Sequence, residues 1–268
     1  MKASYNNKRK GNPHHNDRTM DISKAKHIDP ERTKYNKYVC VYPELKDHRT
    51  KSGKRDYFSA AEQKFYAENF KEFLDRHNEK IKKQRNYGRK KTVKSLLTNY
   101  NTRPEETIIQ IGNMYDYPED RNDLLYVFSE LQKYSNKITH HHCKILNAAL
   151  HMDESTPHIH LRKVWVYKED GIMMIGQEKA LEHAGIPLPE PDQPRGQNNN
   201  RKMTYDRMMR EKLYELCRDR GLEIDTIPDP ENKKHLSKEE YIDKIYHERE
   251  EAQRMREERK KKRKEQDH

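Results

Sequence analysis

Residues 151–160 read His-Met-Asp-Glu-Ser-Thr-Pro-His-Ile-His, and no other stretch constrains this chain as much. His158 and His160 are two positions apart, which in a strand puts both rings on one face of a sheet. His151 ends a strand-like run over 145–150, and a second run with Ile159, Leu161, Val164, Trp165, Val166 and Tyr167 follows Pro157. An antiparallel pair joined by this short loop brings the three rings together. Three neutral imidazoles meeting at one point form a metal site, and three protein ligands leave coordination positions open, as catalysis requires. Asp153 and Glu154 are near enough to serve as a fourth ligand, an orienting group or a proton acceptor. The alternative is a set of scattered surface histidines, which the density of the motif argues against.

Composition narrows the partner. Only 31% of the 268 residues are hydrophobic and 38% are charged, so one core cannot occupy the whole length. The formal net charge of +11 points to a polyanion, with nucleic acid the leading candidate. Cys40, Cys143 and Cys217 are too few and too scattered for a disulfide framework and read as reduced thiols. No apolar stretch is long enough to span a bilayer and no signal-peptide pattern opens the chain, which makes cytoplasm the expectation.

Along the chain, residues 1–40 are polar and basic and carry little apolar periodicity, so they are expected either to be disordered or to be built into a site. Ser59 and Glu62 have capping-box spacing and predict a helix to about residue 84. A basic run follows, including Lys83, Arg85, Arg89, Lys90, Lys91 and Lys94; it reads either as a solvated face or as a track for a phosphate backbone. Residues 107–112 read as a buried strand. A helix is expected from 118–120 onward with Leu124, Leu125, Val127, Phe128, Leu131 and Tyr134 inward, and His140-His141-His142 as a polar loop. Gly171 predicts a turn, 177–183 a short helix, 187–200 a loop that is either a lid or a linker, and 204–220 an amphipathic helix stopped by Gly221. Residues 237–268 read as a basic helix whose stripe of Tyr241, Ile242, Ile245 and Tyr246 fades; it suits a coiled-coil dimer contact or a DNA-touching arm. The mixture predicts an α+β fold with an antiparallel sheet flanked by helices, the ligands standing on central strands.

The decad 151–160 resembles the metal motif of plasmid mobilisation relaxases of the Mob/Pre (MobV) type, within the HUH endonuclease superfamily. His15-Asn16-Asp17-Arg18 is similar to that family's N-terminal motif, and 27–36 to its second, with Asp29, Arg32 and Asn36 at matching positions. The match covers about residues 12–225, which divides the chain into a relaxase domain over 1–225 and a basic helical extension over 226–268. The resemblance implies an HUH-type fold and a plasmid-encoded bacterial enzyme that nicks one strand at a transfer origin, stays bound to the 5′ phosphate and later rejoins the strand. Such an enzyme serves plasmid mobilisation or recombination. The implied ligands are His151, His158 and His160, with Glu154 as the acidic residue and His15 as the nucleophile. Manganese or magnesium is the implied metal, whereas imidazole ligands alone favour zinc; manganese accommodates both arguments.

One departure from the pattern bears on the nucleophile. The family commonly carries Asn-Tyr in its second motif, but Lys37 follows Asn36 here, with Tyr35 and Tyr38 flanking the pair. That favours His15. Arg18, three residues on, is expected to bind a phosphate oxygen bidentately. Asp29, Arg32, Asn36, Lys83, Arg85, Arg89, Lys90 and Lys91 are the expected DNA contacts, on single-stranded or hairpin origin DNA, with a conjugative coupling protein as a further partner. The rival readings are a rolling-circle replication initiator, a non-catalytic DNA-binding protein with a structural metal, and a zinc hydrolase. The last ranks low because a helical His-Glu-x-x-His pattern is lacking.

Overall fold

Strand β4 (Cys143–His151) and strand β5 (His158–Glu169) pair antiparallel, and His151 lies opposite His158 beside the loop that joins them. They sit at the middle of a six-stranded antiparallel sheet ordered β1 (Ala3–Lys8), β3 (Glu105–Ile111), β5, β4, β2 (Lys37–Cys40), with β6 (Ile172–Ile175) paired to the far end of β5. The fold is therefore α+β, as the pattern of elements indicates. The computed structural model describes residues 1–8, 10–22, 25, 27–118, 120–225 and, beyond these, Glu250, Glu251, Arg254, Met255 and Glu258. Most of the expected C-terminal helix, Tyr241, Ile242, Ile245 and Tyr246 included, lies outside the described residues, as does Glu119.

The two faces of the sheet differ in chemistry. One face carries Ile109, Ile111, Ile159, Leu161 and Trp165 against helices α5 (Arg121–Ile138), α6 (Gln177–His183) and α7 (Arg201–Asp219), forming the main apolar core. The other face runs from polar to apolar along β5. His158, His160 and Arg162 occupy the end nearest the β4–β5 loop, and Val164 and Val166 continue into a second core under α2 (Phe58–Asn69), α3 (Lys71–Lys83) and α4 (Val93–Thr98). Burying apolar side chains on both faces explains the unbroken apolar run of Val164, Trp165, Val166 and Tyr167 in β5.

A bulge sets which face His151 shares. Cys143 and Ile145 point toward the α5 and α7 side, then the register shifts between Ile145 and Asn147. After the extra residue, Asn147, Ala149 and His151 stand opposite Arg162, His160 and His158 on the other face. A strand alternates sides at every residue, so a single insertion moves all later odd-numbered side chains across the sheet.

Three sequence expectations need correction. The capping box at Ser59 does not form: α2 begins at Phe58, and the carboxylate of Asp17 accepts from the Phe58 backbone N–H at 2.8 Å, so the cap comes from another element. Glu62 instead turns inward to Arg162 and Asn147. The single helix expected to residue 84 is broken at Phe70, where the Asn69 amide takes the Phe65 carbonyl at 2.9 Å and Phe70 buries against Tyr66. Residues 1–40 contribute more core than their polarity suggests. They supply both edge strands, and Tyr5 is fully buried with its hydroxyl on the Lys163 ammonium. Strand β3, helices α5, α6 and α7 and the Gly171 turn lie where the sequence pattern puts them, the last as a hairpin turn at Asp170-Gly171 in which both residues are left-handed.

Candidate active site

The rings of His151, His158 and His160 meet, with centroid separations of 5.4, 4.7 and 4.8 Å. Each ring is pinned through one nitrogen. His158 Nδ1 donates to the Thr156 carbonyl at 2.8 Å and His151 Nε2 to the Asn16 carbonyl at 2.8 Å. His160 Nδ1 donates to the Glu106 carboxylate at 3.1 Å. Because a neutral imidazole carries only one N–H, these bonds leave the other nitrogen of each ring as a lone pair. His158 Nε2 and His160 Nε2 then face each other at 3.0 Å, and buried His151 Nδ1 has no hydrogen-bond partner. Two facing lone pairs and an orphaned buried nitrogen are donors of the kind that could hold a cation, and the outer hydrogen bonds such ligands need are already made.

Electrostatics fit the same role. Burial holds His158 at about 4 and His160 at about 3, so both rings are neutral near pH 7. Burial pushes Glu106 upward, but His160, Asn16 and Arg162 outweigh it and bring the carboxyl to about 2. Glu154 stands at the rim, with Oε1 3.4 Å from His151 Nδ1 and 3.3 Å from His15 Nε2, and Oε2 4.0 Å from His158 Nε2. Burial pushes Glu154 up as well, yet the histidines and Arg18 hold it far below the usual carboxylate range. The ligand atoms of His151, Glu154 and His158 lie within 4.8 Å of one another, as do those of His15, His151 and His160.

The N-terminal motif folds over this cluster. Asn12 caps the one-turn helix α1 (Pro13–Asn16), accepting from His14 N–H at 3.1 Å, with Pro13 at its first position. The turn buries Asn16, whose amide donates to Glu106 at 3.0 Å, and leaves His15 with its ring centroid 5.3 Å from both His151 and His160. The His15 side chain keeps 21% exposure while His151 has none, so His15 is the ring of this pair that an incoming molecule can reach. His27, which the sequence reading did not single out as a site residue, stacks on His15 at 5.9 Å.

Arg18 corrects the expectation of a phosphate fork. Its guanidinium is 4% exposed and donates to Asp153 at 2.9 and 2.7 Å, to Glu154 at 2.8 Å and to the His15 carbonyl at 2.7 Å. It clamps the loop between β4 and β5 onto α1, from a left-handed backbone with φ of 55°. Asn36 is corrected in the same way: it is buried, donating to Asp153 at 2.7 Å and accepting from Met152 N–H at 2.7 Å, so it braces the loop rather than facing DNA. Asp29 donates its backbone N–H to the Asp153 carbonyl at 2.7 Å and keeps its carboxylate exposed, and Arg32 is half-buried nearby in sequence. Tyr38 is half-buried against Phe58, and Tyr35 is 47% exposed. The histidine cluster makes its ring contacts with His15, not with either tyrosine.

Of the basic run, Lys83, Arg85, Arg89 and Lys90 are exposed, and Lys91 rests over Phe73. His77 and Asn78 pin that turn to α3 through the Arg89 and Lys91 backbones. The sequence reading missed Glu106, whose strand it began one residue later at Thr107, and also Arg162. Arg162 lies two residues beyond His160 on the same face and makes a bidentate pair with buried Glu62. The usable signal was the alternation itself: His158, His160 and Arg162 are polar residues at successive positions on one face of the strand.

No family model matches the sequence, and no curated protein matches it. Among solved structures, the chain is similar to the MobM relaxase domain (MOBV; Mob_Pre) bound to plasmid pMV158 oriT DNA, in manganese-bound crystals. With a 23-nucleotide DNA the TM-score is 0.49 at 16% identity, covering 92% of this chain and 99% of that one. With a 22-nucleotide DNA it is 0.47 at 17% identity, covering 90% and 98%.

Proposed function

We propose that this protein is a metal-dependent relaxase that nicks and rejoins one DNA strand at a plasmid transfer origin, with residues 1–225 as the catalytic domain. The reading rests on one observation. Three buried imidazoles meet, each pinned through one nitrogen and with the free Nε2 atoms of His158 and His160 3.0 Å apart, beside a fourth, reachable imidazole, His15. His151, His158 and His160 would hold a divalent cation, with manganese favoured, and Glu154 would border it. A cation bound there supplies positive charge to the oxygens of the scissile phosphate. The bacterial cytoplasm, origin DNA in single-stranded or hairpin form and a coupling protein belong to the same reading.

The residues then divide the work. Ionised Glu154 accepts a hydrogen bond from His15 Nε2–H at 3.3 Å, which leaves the Nδ1 lone pair, now 3.4 Å from Arg18 Nη1, to turn to the phosphate and attack. A P–N bond forms between His15 and the 5′ phosphate, the P–O3′ bond breaks, and the ring proton ends on the freed 3′ hydroxyl. Reversal of these steps rejoins the strand without ATP, because the phosphoramidate keeps the phosphoryl group activated. Arg18 holds Glu154 and the His15 backbone in place during both directions.

The test is incubation of supercoiled cognate plasmid with the protein and Mn²⁺, followed by denaturing analysis of the 5′ ends. The proposal expects relaxed DNA carrying protein at one 5′ end, and no product after chelation. Binding without nicking under any divalent ion would leave the structural-metal alternative instead. Nicking at a replication origin rather than a transfer origin would leave the replication initiator.

A further inference from the structure

Beside the histidine cluster, on the same face of the sheet, a cavity of about 790 Å³ opens between the N-terminal loop, α2 and α4. Its volume falls within the range of roughly 300–1,000 Å³ that holds small-molecule ligands. Lys10, Lys94 and Arg103 stand in its wall, and Val93, Leu97 and Pro104 give it an apolar side. Glu62 is the lone carboxylate among the described lining residues, and it is committed to Arg162. The cavity therefore carries uncompensated positive charge next to an apolar surface.

Its most buried cation keeps one nitrogen without a hydrogen-bond partner. Arg162 is 5% exposed and lines the cavity, and it spends Nε and Nη2 on Glu62 while Nη1 has no hydrogen-bond partner. Nη1 lies 3.6 Å from Glu106, the residue that orients His160. The backbone of Gly11 passes so close that an added Cβ would meet Arg162 Nη1 at 2.0 Å and Glu106 Oε2 at 2.1 Å. A side chain at this position would have to displace the Arg162 and Glu106 head groups. The cavity and the candidate active site thus share the Arg162–Glu106 pair as a common wall.

We propose that this cavity binds one nucleotide of single-stranded DNA next to the scissile phosphate, its base on the side of Val93, Leu97 and Pro104 and its phosphate among Lys10, Lys94 and Arg103. The inference rests on the relaxase reading for the identity of the strand. Apolar contact suits a base face of any sequence, and the cations suit the backbone. Lys94 closes the basic run that begins on α3, so the run would lead the strand toward the cavity.

The experiment measures anisotropy of a fluorescein-labelled oligothymidylate with the full chain in chelator, so that binding is read without chemistry. K94A/R103A is expected to weaken binding about tenfold and to reduce the salt dependence of log K by about 0.7 for each phosphate that the variant leaves unneutralised. Leu97→Trp, which fills the apolar side, is expected to weaken binding about tenfold with the salt slope unchanged. Lys133→Ala, on the opposite face of the molecule, serves as the control and leaves both readouts as in the unsubstituted chain. Wild-type affinity and slope in K94A/R103A would overturn the inference even if Leu97→Trp failed to fold. If the unsubstituted chain nicks plasmid but the cavity variants bind normally, the inference fails and the relaxase reading stands. If it never nicks yet the cavity variants lose binding as described, the site stands and the relaxase reading fails.

Discussion

His151 faces His158 directly across the β4–β5 ladder, and it does so because an extra residue is accommodated between Ile145 and Asn147. In a ladder without that shift, His151 would share the side of Cys143 and Ile145 and point into the apolar core under α5 and α7. Its free Nδ1 would be lost to the site, and a polar ring would be buried among hydrocarbon. The bulge is thus what turns a pair of histidines on one strand into a trio.

Metal binding should be visible as stability. Mn²⁺ at about one hundred times its dissociation constant is expected to stabilise the folded chain by about 2.7 kcal/mol. His158→Ala and His160→Ala should abolish most of that gain, because each removes one converging lone pair. Calorimetric melting with and without Mn²⁺ checks this, and equal shifts in the variants and the unsubstituted chain would contradict the assignment.

Glu106 fixes the His160 tautomer at 3.1 Å and is itself held by Asn16. Removing such an outer hydrogen bond typically lowers metal affinity by about 10–100-fold. Glu106→Ala is expected to fall in that range by titration calorimetry while His15 remains in place. An unchanged affinity would mean that His160 needs no support from β3.

His15→Ala should eliminate the covalent protein–DNA adduct while leaving oligonucleotide binding largely intact. Tyr35→Phe and Tyr38→Phe should both retain the adduct. Gel analysis under denaturing conditions decides the matter; an adduct that survives without His15 and vanishes in one tyrosine variant would transfer the nucleophile to that tyrosine.

The opposite face holds a buried ionic cluster whose acid response has a definite sign. Burial raises Glu105, but Lys202 and Lys163 at 3.1 and 3.2 Å outweigh it and bring the carboxyl down to about 2 from 4.5. Its stabilising contribution is therefore complete above pH 4.5 and is lost as pH falls toward 2. Glu105→Gln leaves buried Lys163 short of its partner and should cost about 3–5 kcal/mol at neutral pH. Denaturant melts should show that gap narrowing through the same acid window. A gap constant with pH would show that Glu105 titrates alike in the folded and unfolded chain, and would contradict the assignment.

Much of the site was readable because its central part is local. The decad holds its ligands within a single hairpin, and strand alternation alone puts His158 and His160 on one side. Arg18 and Asn36 were recognisable as motif residues but not as braces, since an arginine looks the same whether its fork awaits phosphate or already grips Asp153 and Glu154. Glu106 and Arg162 were passed over because their partners come from β3, α1 and α2, far off in sequence.

The sequence by itself determined the β4–β5 hairpin, the inward stripes of α5 and α7, and the shared face of His158 and His160, because periodicity and turn chemistry act over a few residues. Tertiary structure alone decided the bulge that aims His151, the edge strands drawn from a polar N-terminus, and the turn that sets His15 over the cluster. Those outcomes depend on which distant segment satisfies each backbone and side-chain polar group once water is excluded, and local pattern carries no record of that choice.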